Sequence, residues 1–243
     1  MIAADVAFKF YPPDVSLRPH VHDVAQITLV FDGALRESVG RDDETARALS
    51  VAVKPAGVRH ANLFGGEITR TLQVTLAPDE LPLGRWRWLH GNAPVARALL
   101  RLALRKDEVE LADVVAALAE AQPAAGAPPR WLRLTREALD DCRDRPRDLA
   151  AIGGVHPVHL AREFRRWYGT SIADYLHMKR VRTAAQLVSR GSRLAEAAHE
   201  SGFADHAHMC RVFRRMTGVT PGAFAALATA DVAIVQDERL HRT

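Results

Sequence analysis

Cysteine is almost absent. Only Cys142 and Cys210 occur in 243 residues, too few for a disulfide framework and without the paired spacing of a zinc site. No apolar run reaches the length of about 18 residues that a membrane span needs. The opening stretch, MIAADVAFKFYPPD, lacks the basic-then-apolar layout of a signal peptide, so the chain is expected in the cytoplasm and off the membrane. Nucleophile elbow, P-loop and dinucleotide fingerprint are all missing, which removes the commonest hydrolase, nucleotidase and dehydrogenase readings. What remains is ordinary for a globular protein: 48% hydrophobic and 26% charged residues, a balance that excludes a largely disordered chain. The length suits two domains, each with its own core.

The formal charge of +4 is unevenly spread. Residues 131–228 carry 16 Lys+Arg against 10 Asp+Glu, whereas residues 1–130 carry 15 against 16. The basicity of the last hundred residues is nearly all arginine, whose guanidinium fork donates two parallel hydrogen bonds to phosphate or guanine. A solvated basic face without a ligand is the plainer reading of charge alone.

Short segments rich in Val, Ile, Leu and Thr, namely AQITLVFDG, ALSVAVKPAG and ITRTLQVTL, are separated by Gly, Pro and Asp turn signals up to about residue 77. They predict an antiparallel barrel or sandwich. From Pro94 the spacing becomes helical, with Val95, Leu99 and Leu102, then Val109, Leu111, Val114, Val115 and Leu118. Two helices are expected, packed on each other or on a second subunit. QPAAGAPPR, residues 122–130, reads as a linker, and residues 131–228 as helical. RWRW, residues 85–88, falls where barrel and helices meet and is expected to pack there or to cover a pocket.

The C-terminal part repeats itself at an offset of 49 residues: Gly153 maps to Gly202, Leu160 to Met209, Arg162 to Arg211, Phe164 to Phe213, Gly169 to Gly218 and Tyr175 to Phe224. Each copy has a short helix, a glycine break and a second helix. Pro157 suits the first turn of one second helix, and Asp205 suits the N-cap of the other. In the first copy Leu160, Phe164 and Trp167 share one face, leaving His159, Arg162 and Arg166 to point away. In the second, Met209, Val212, Phe213 and Met216 form the buried stripe. Such a pair of helices projects the second into a major groove, where its N-terminal half reaches base edges.

LAAIGGVHPVHLAREFRRWYG, YLHMKRVRTAAQLV and LAEAAHESGFADHAHMCRVFRRMTGVTPGAF together resemble the DNA-binding domain of the AraC/XylS family of transcriptional regulators, over about 40% of the chain. The resemblance implies two helix-turn-helix units joined by a long helix. By position, base-reading roles fall on Val158, Ala161 and Arg162, and on His206, Ala207, Cys210 and Arg211. His159 stands on the same helix as the first set. Val158, Ala161 and Ala207 can offer only apolar contact, as with thymine methyls, so Arg162 and Arg211 are the expected guanine readers. Arg165, Arg166, Arg214 and Arg215 lie farther along their helices and are expected at phosphates.

PHVHDVAQITLVFDG resembles the first motif of a cupin, with His20, His22 and Gly33 in place and Gln26 where an acid usually stands; PAGVRH matches the second and adds His60. The resemblance leaves three uses open for His20, His22, Gln26 and His60: a divalent metal (Zn, Ni, Fe or Mn) held by the three histidines, the lining of a pocket for an organic effector, or structural hydrogen bonding alone. Glu37 and Glu67 are the visible acids for a metalloenzyme of dioxygenase or isomerase type, and spacing ties neither to the histidines. His90, His156, His177 and His199 read as solvated or capping residues.

The expected architecture is therefore α+β with two domains. A cupin-like β-barrel spans 1–90 and a helical bridge 91–121, a candidate dimerisation element. The linker 122–130 leads to an all-α domain at 131–228 with two helix-turn-helix motifs, and a tail follows at 229–243. The expected role is that of a transcriptional activator or repressor controlled by a small molecule or metal. Its partners would be double-stranded DNA, a second copy of the chain and, for an activator, RNA polymerase.

Overall fold

A computed structural model describes residues 4–77, 84–90, 92–105, 108–121, 128–141, 149–229 and 240–242. Most of the linker, residue 142 and most of the C-terminal tail lie outside the described residues. The strands are β1 (Ala4–Tyr11), β2 (Val15–His20), β3 (Ala25–Asp32), β4 (Leu35–Val39), β5 (Asp42–Ala46), β6 (Val51–Lys54), β7 (His60–Phe64), β8 (Thr69–Leu76), β9 (Arg87–Leu89) and β10 (Leu240–Arg242). The helices are α1 (Ala93–Arg105), α2 (Glu108–Glu120), α3 (Arg130–Asp141), α4 (Leu149–Gly153), α5 (Pro157–Tyr168), α6 (Ile172–Ser189), α7 (Leu194–Glu200), α8 (His206–Thr217) and α9 (Pro221–Thr229).

The strands form two five-stranded sheets, one ordered β1-β8-β3-β6-β9 and the other β10-β2-β7-β4-β5. Every strand pair is antiparallel. This is the cupin-like double sheet that the motifs implied. β3 is buried along nearly its whole length, as expected of a strand covered on both faces, and its alternation divides two environments. Ile27, Leu29 and Phe31 join the apolar core under the helices, while Gln26 and Thr28 turn into the space between the sheets. Gly33 ends the strand at φ +80, and a Cβ there would lie 2.6 Å from Thr69 Oγ1, so only glycine fits the turn.

The bridge does not stand apart. Val95, Leu99 and Leu102 of α1 and Leu111, Val114 and Leu118 of α2 are buried in one core with the sheet residues Leu72, Val74 and Val53. That core runs on into α6, α8 and α9 through Met178, Met209, Phe213 and Phe224, and the Phe31 and Phe224 ring centroids are 5.1 Å apart. The α3–α5 unit has a core of its own, built from Leu132, Leu139, Leu149, Leu160, Phe164 and Tyr175.

Candidate nucleic-acid interface and histidine cavity

In the first repeat α4 ends at Gly153 and α5 begins at Pro157, as the glycine and proline signals predicted. His156 caps α5, its ring nitrogen accepting from the Val158 N–H at 3.3 Å, so this histidine is the capping residue expected. Leu160 and Phe164 are buried, and Val158, Ala161, Arg162, Arg165 and Arg166 are exposed. Val158 is 71% exposed, an apolar side chain facing solvent at the start of the helix. His159 differs from expectation in being half-buried, because its ring leans on Trp131 with centroids 5.5 Å apart. Arg162 lies beside that ring, with Nη2 3.1 Å from His159 Nδ1.

The second repeat follows the same plan. Asp205 caps α8, accepting from the His208 N–H at 2.6 Å, and hydrogen bonding holds its carboxyl below the ordinary value. Met209, Val212, Phe213 and Met216 are buried, and His206, Ala207, Arg211, Arg214 and Arg215 are exposed. Cys210 is half-buried, packed at the edge of the main core. Both recognition helices thus bury one stripe and present the arginine-bearing face to solvent.

The space between the sheets is small and polar. His20, His22 and His60 converge there, one ring nitrogen from each lying within 4.8 Å of the others. Two of the rings are held by their own strands: His20 Nδ1 sits 2.7 Å from the Arg18 carbonyl and His60 Nδ1 3.0 Å from that of Val58. A carbonyl only accepts, so each Nδ1 carries a proton. Burial, with the Lys54 ammonium nearby, pushes the His60 pKa down to about 3, so this ring stays neutral. Gln26 lines the same cavity, whose volume is about 50 Å³.

Glu37 also points into this cavity, though its spacing in the chain did not tie it there. Its carboxylate is ion-paired with Lys54. It also accepts from Trp86 Nε1 at 2.6 Å and from Asn62 Nδ2 at 3.3 Å. Burial would raise its pKa, but the Lys54 ammonium and the Trp86 indole outweigh burial and hold it below the ordinary value. Glu67 is elsewhere, on the surface, paired with Arg190.

Residues 149–226 match the family model for a helix-turn-helix domain. The C-terminal region carries a helix-turn-helix domain. The chain is also similar to curated regulators. One is the HTH-type transcriptional regulator GlxA of Rhizobium meliloti, 34% identical over 91 residues, covering 36% of this chain and 28% of that protein. Another is the HTH-type transcriptional regulator RipA of Corynebacterium glutamicum, 35% identical over 77 residues, covering 32% and 23%. The chain therefore spans about a quarter of the length of the curated relatives it matches. Among solved structures, ToxT from Vibrio cholerae aligns over 94% of this chain and 99% of its own, at 12% identity and a TM-score of 0.41.

The helix-turn-helix domain is tied to the N-terminal part of the chain by Arg97 and Arg190, which the sequence did not single out. Arg97 of α1 donates to the Arg215 carbonyl at the end of α8, and its chain lies against Gly218, where a Cβ would come within 2.6 Å of Arg97 Cγ. Arg190, just past α6, pairs with Glu67 and, at 3.4 Å, with the buried carboxylate of Asp32 on β3. Lys54 was missed, and Glu37 was named without a place; both had a signal available. Glu37 shares a strand face with Leu35 and Lys54 with Ala52, and charges in the inward-facing register of a strand mark a polar interior.

Proposed function

We propose that this chain is a one-component regulator of transcription that binds a specific DNA sequence through its helix-turn-helix domain and is controlled by a ligand in the histidine cavity. The single observation that carries this reading is the exposure of the arginine faces of α5 and α8 on a segment that matches the helix-turn-helix family. Val158, His159, Ala161 and Arg162 of α5 and His206, Ala207, Cys210 and Arg211 of α8 form the base-facing set, with Arg165, Arg166, Arg214 and Arg215 at phosphates. The protein works in the cytoplasm, and a second copy and, for an activator, RNA polymerase complete the partners.

His20, His22 and His60 fit a divalent ion. The donor set is three converging imidazoles, two of them oriented by backbone carbonyls, which is the outer support that metal-bound histidines need. When bound, the ion supplies a positive charge and open coordination positions for a small anion or water. The cavity volume of about 50 Å³ suits an ion with its solvent and not a drug-sized molecule. We read the chain as no enzyme, because Glu37, the one acid beside the histidines, is committed to Lys54, Trp86 and Asn62 and is not free to take a proton. A filled cavity is felt by the DNA-binding part through β3, whose Gln26 and Thr28 face the ligand while Phe31 touches Phe224 of α9.

The test is selection from random duplex DNA with the full chain, followed by binding at several salt concentrations. A recovered motif, with log K falling by about 0.9 per neutralised phosphate per log unit of salt, is the expected result. Absence of any enriched motif overturns the DNA reading. Plasma mass spectrometry of untagged protein beside His20→Ala/His60→Ala decides the metal: near-stoichiometric metal in the parent and none in the variant is expected.

A further inference from the structure

We propose that Glu163, on the recognition helix α5, is a positioning residue: it holds Arg162 with one edge of the guanidinium turned outward for a base pair. This rests on the base-facing role given to Arg162 above. The exposed face of α5 is basic, with Arg162, Arg165 and Arg166 in solvent, yet one acid stands among them. Glu163 is buried. Its Oε1 lies 3.4 Å from Arg162 Nε, and its Oε2 lies 3.6 Å from Arg166 Nη1.

A second group engages the same arginine. Arg162 Nη2 lies 3.1 Å from His159 Nδ1, and because arginine only donates, the imidazole accepts. His159 is braced in turn by Trp131 of α3, with ring centroids 5.5 Å apart. The Nε proton and one Nη2 proton are thereby engaged within the protein. Both Nη1 protons and the second Nη2 proton remain, and along that edge two parallel donors match guanine O6 and N7. An arginine already ordered loses less rotamer freedom on contact.

The second repeat is an internal control. At the 49-residue offset Arg162 corresponds to Arg211, Glu163 to Val212 and His159 to His208. Val212 is buried and apolar, and the His208 ring meets Phe203 edge-on, with centroids 5.5 Å apart. Asp205, the acid whose field Arg211 feels, is engaged in capping α8. The fold of one unit thus does not require an acid at this place. A carboxylate there also repels phosphate, which lowers affinity for every DNA; its hold on the direction of Arg162 is what offsets that loss.

The test uses the full chain with Glu163→Gln, which keeps the shape and removes the charge, and Glu163→Val, which copies the second repeat; circular dichroism confirms that both fold. Duplexes selected from a random pool give the site, and Arg162→Ala and Arg211→Ala each mark the base pair that depends on that arginine. Both Glu163 variants are expected to lose about fivefold or more in discrimination at the Arg162 position and none at the Arg211 position. A scrambled duplex should bind about twofold tighter or more, because a charge opposing phosphate is gone. Equal loss at both positions, as general damage to the domain would produce, overturns the proposal, and so does weaker binding of the scrambled duplex. No selected motif, or no base pair that depends on Arg162, overturns the base-facing role and this proposal with it. A base pair that needs Arg162 and is indifferent to Glu163 overturns this proposal alone, so the two failures are distinguishable.

Discussion

At the scale of single residues, the two recognition helices divide labour by position. Arg162 and Arg211 lie within the first two turns of α5 and α8, where a helix entering a groove reaches base edges. Arg162→Ala and Arg211→Ala are each expected to relax preference at one base pair by about 1 to 3 kcal/mol, read from binding to a set of single-base operator variants. Arg214→Ala, a turn farther on, weakens all sequences alike. Asp205 carries a pH dependence of known sign. Its carboxyl titrates below the ordinary 3.8 in the folded chain because it accepts from the His208 N–H. The cap's contribution is thus complete above pH 3.8 and fades as pH falls through the lowered value. Thermal melts of the parent and Asp205→Asn should differ most near neutrality and converge in acid, since asparagine caps without titrating.

At the scale of elements, the two repeats have the same sequence pattern and different surroundings. The stripe of α5 closes a small core with α3, α4 and Tyr175, whereas the stripe of α8 merges with the core beneath the sheet. Phe164→Ala should cost about 3 to 5 kcal/mol locally. Hydrogen exchange is then expected to quicken over 149–168 far more than over 206–217, and equal loss in both would show one cooperative unit. The repeat, the capping residues and both stripes were legible in the sequence because they are properties of neighbours three and four apart. β5 was not: its residues, DDETA, show no apolar alternation. It forms because β4 offers it a register, and its charges suit an edge strand.

For the whole molecule, the second helix-turn-helix unit and the N-terminal sheets share an interior. A fragment of residues 131–243 keeps the exposed arginine faces of α5 and α8 but uncovers Phe224, Met216 and the rest of the face that packs on α1 and β3. It should melt well below the full chain and self-associate, as seen by scattering. Arg190→Ala, which removes only the pairs to Glu67 and Asp32, should cost about 1 kcal/mol or less because Arg190 and Glu67 are largely in solvent. A fragment as stable as the parent would mean that the shared core contributes little.

The amino-acid sequence by itself determined the two kinds of secondary structure, the internal repeat, the arginine faces, the capping residues and the pair His20 and His22 on one side of a strand. Each follows from a period of 2 or 3.6 residues, or from a turn residue, and so is written within a few positions of chain. Only the tertiary structure decided that Glu37, Lys54 and Trp86 join the histidines. The same holds for α1, which packs inside its own chain. These depend on which strands become neighbours and in what register, a choice set by burial summed over the whole molecule, and no local period records it.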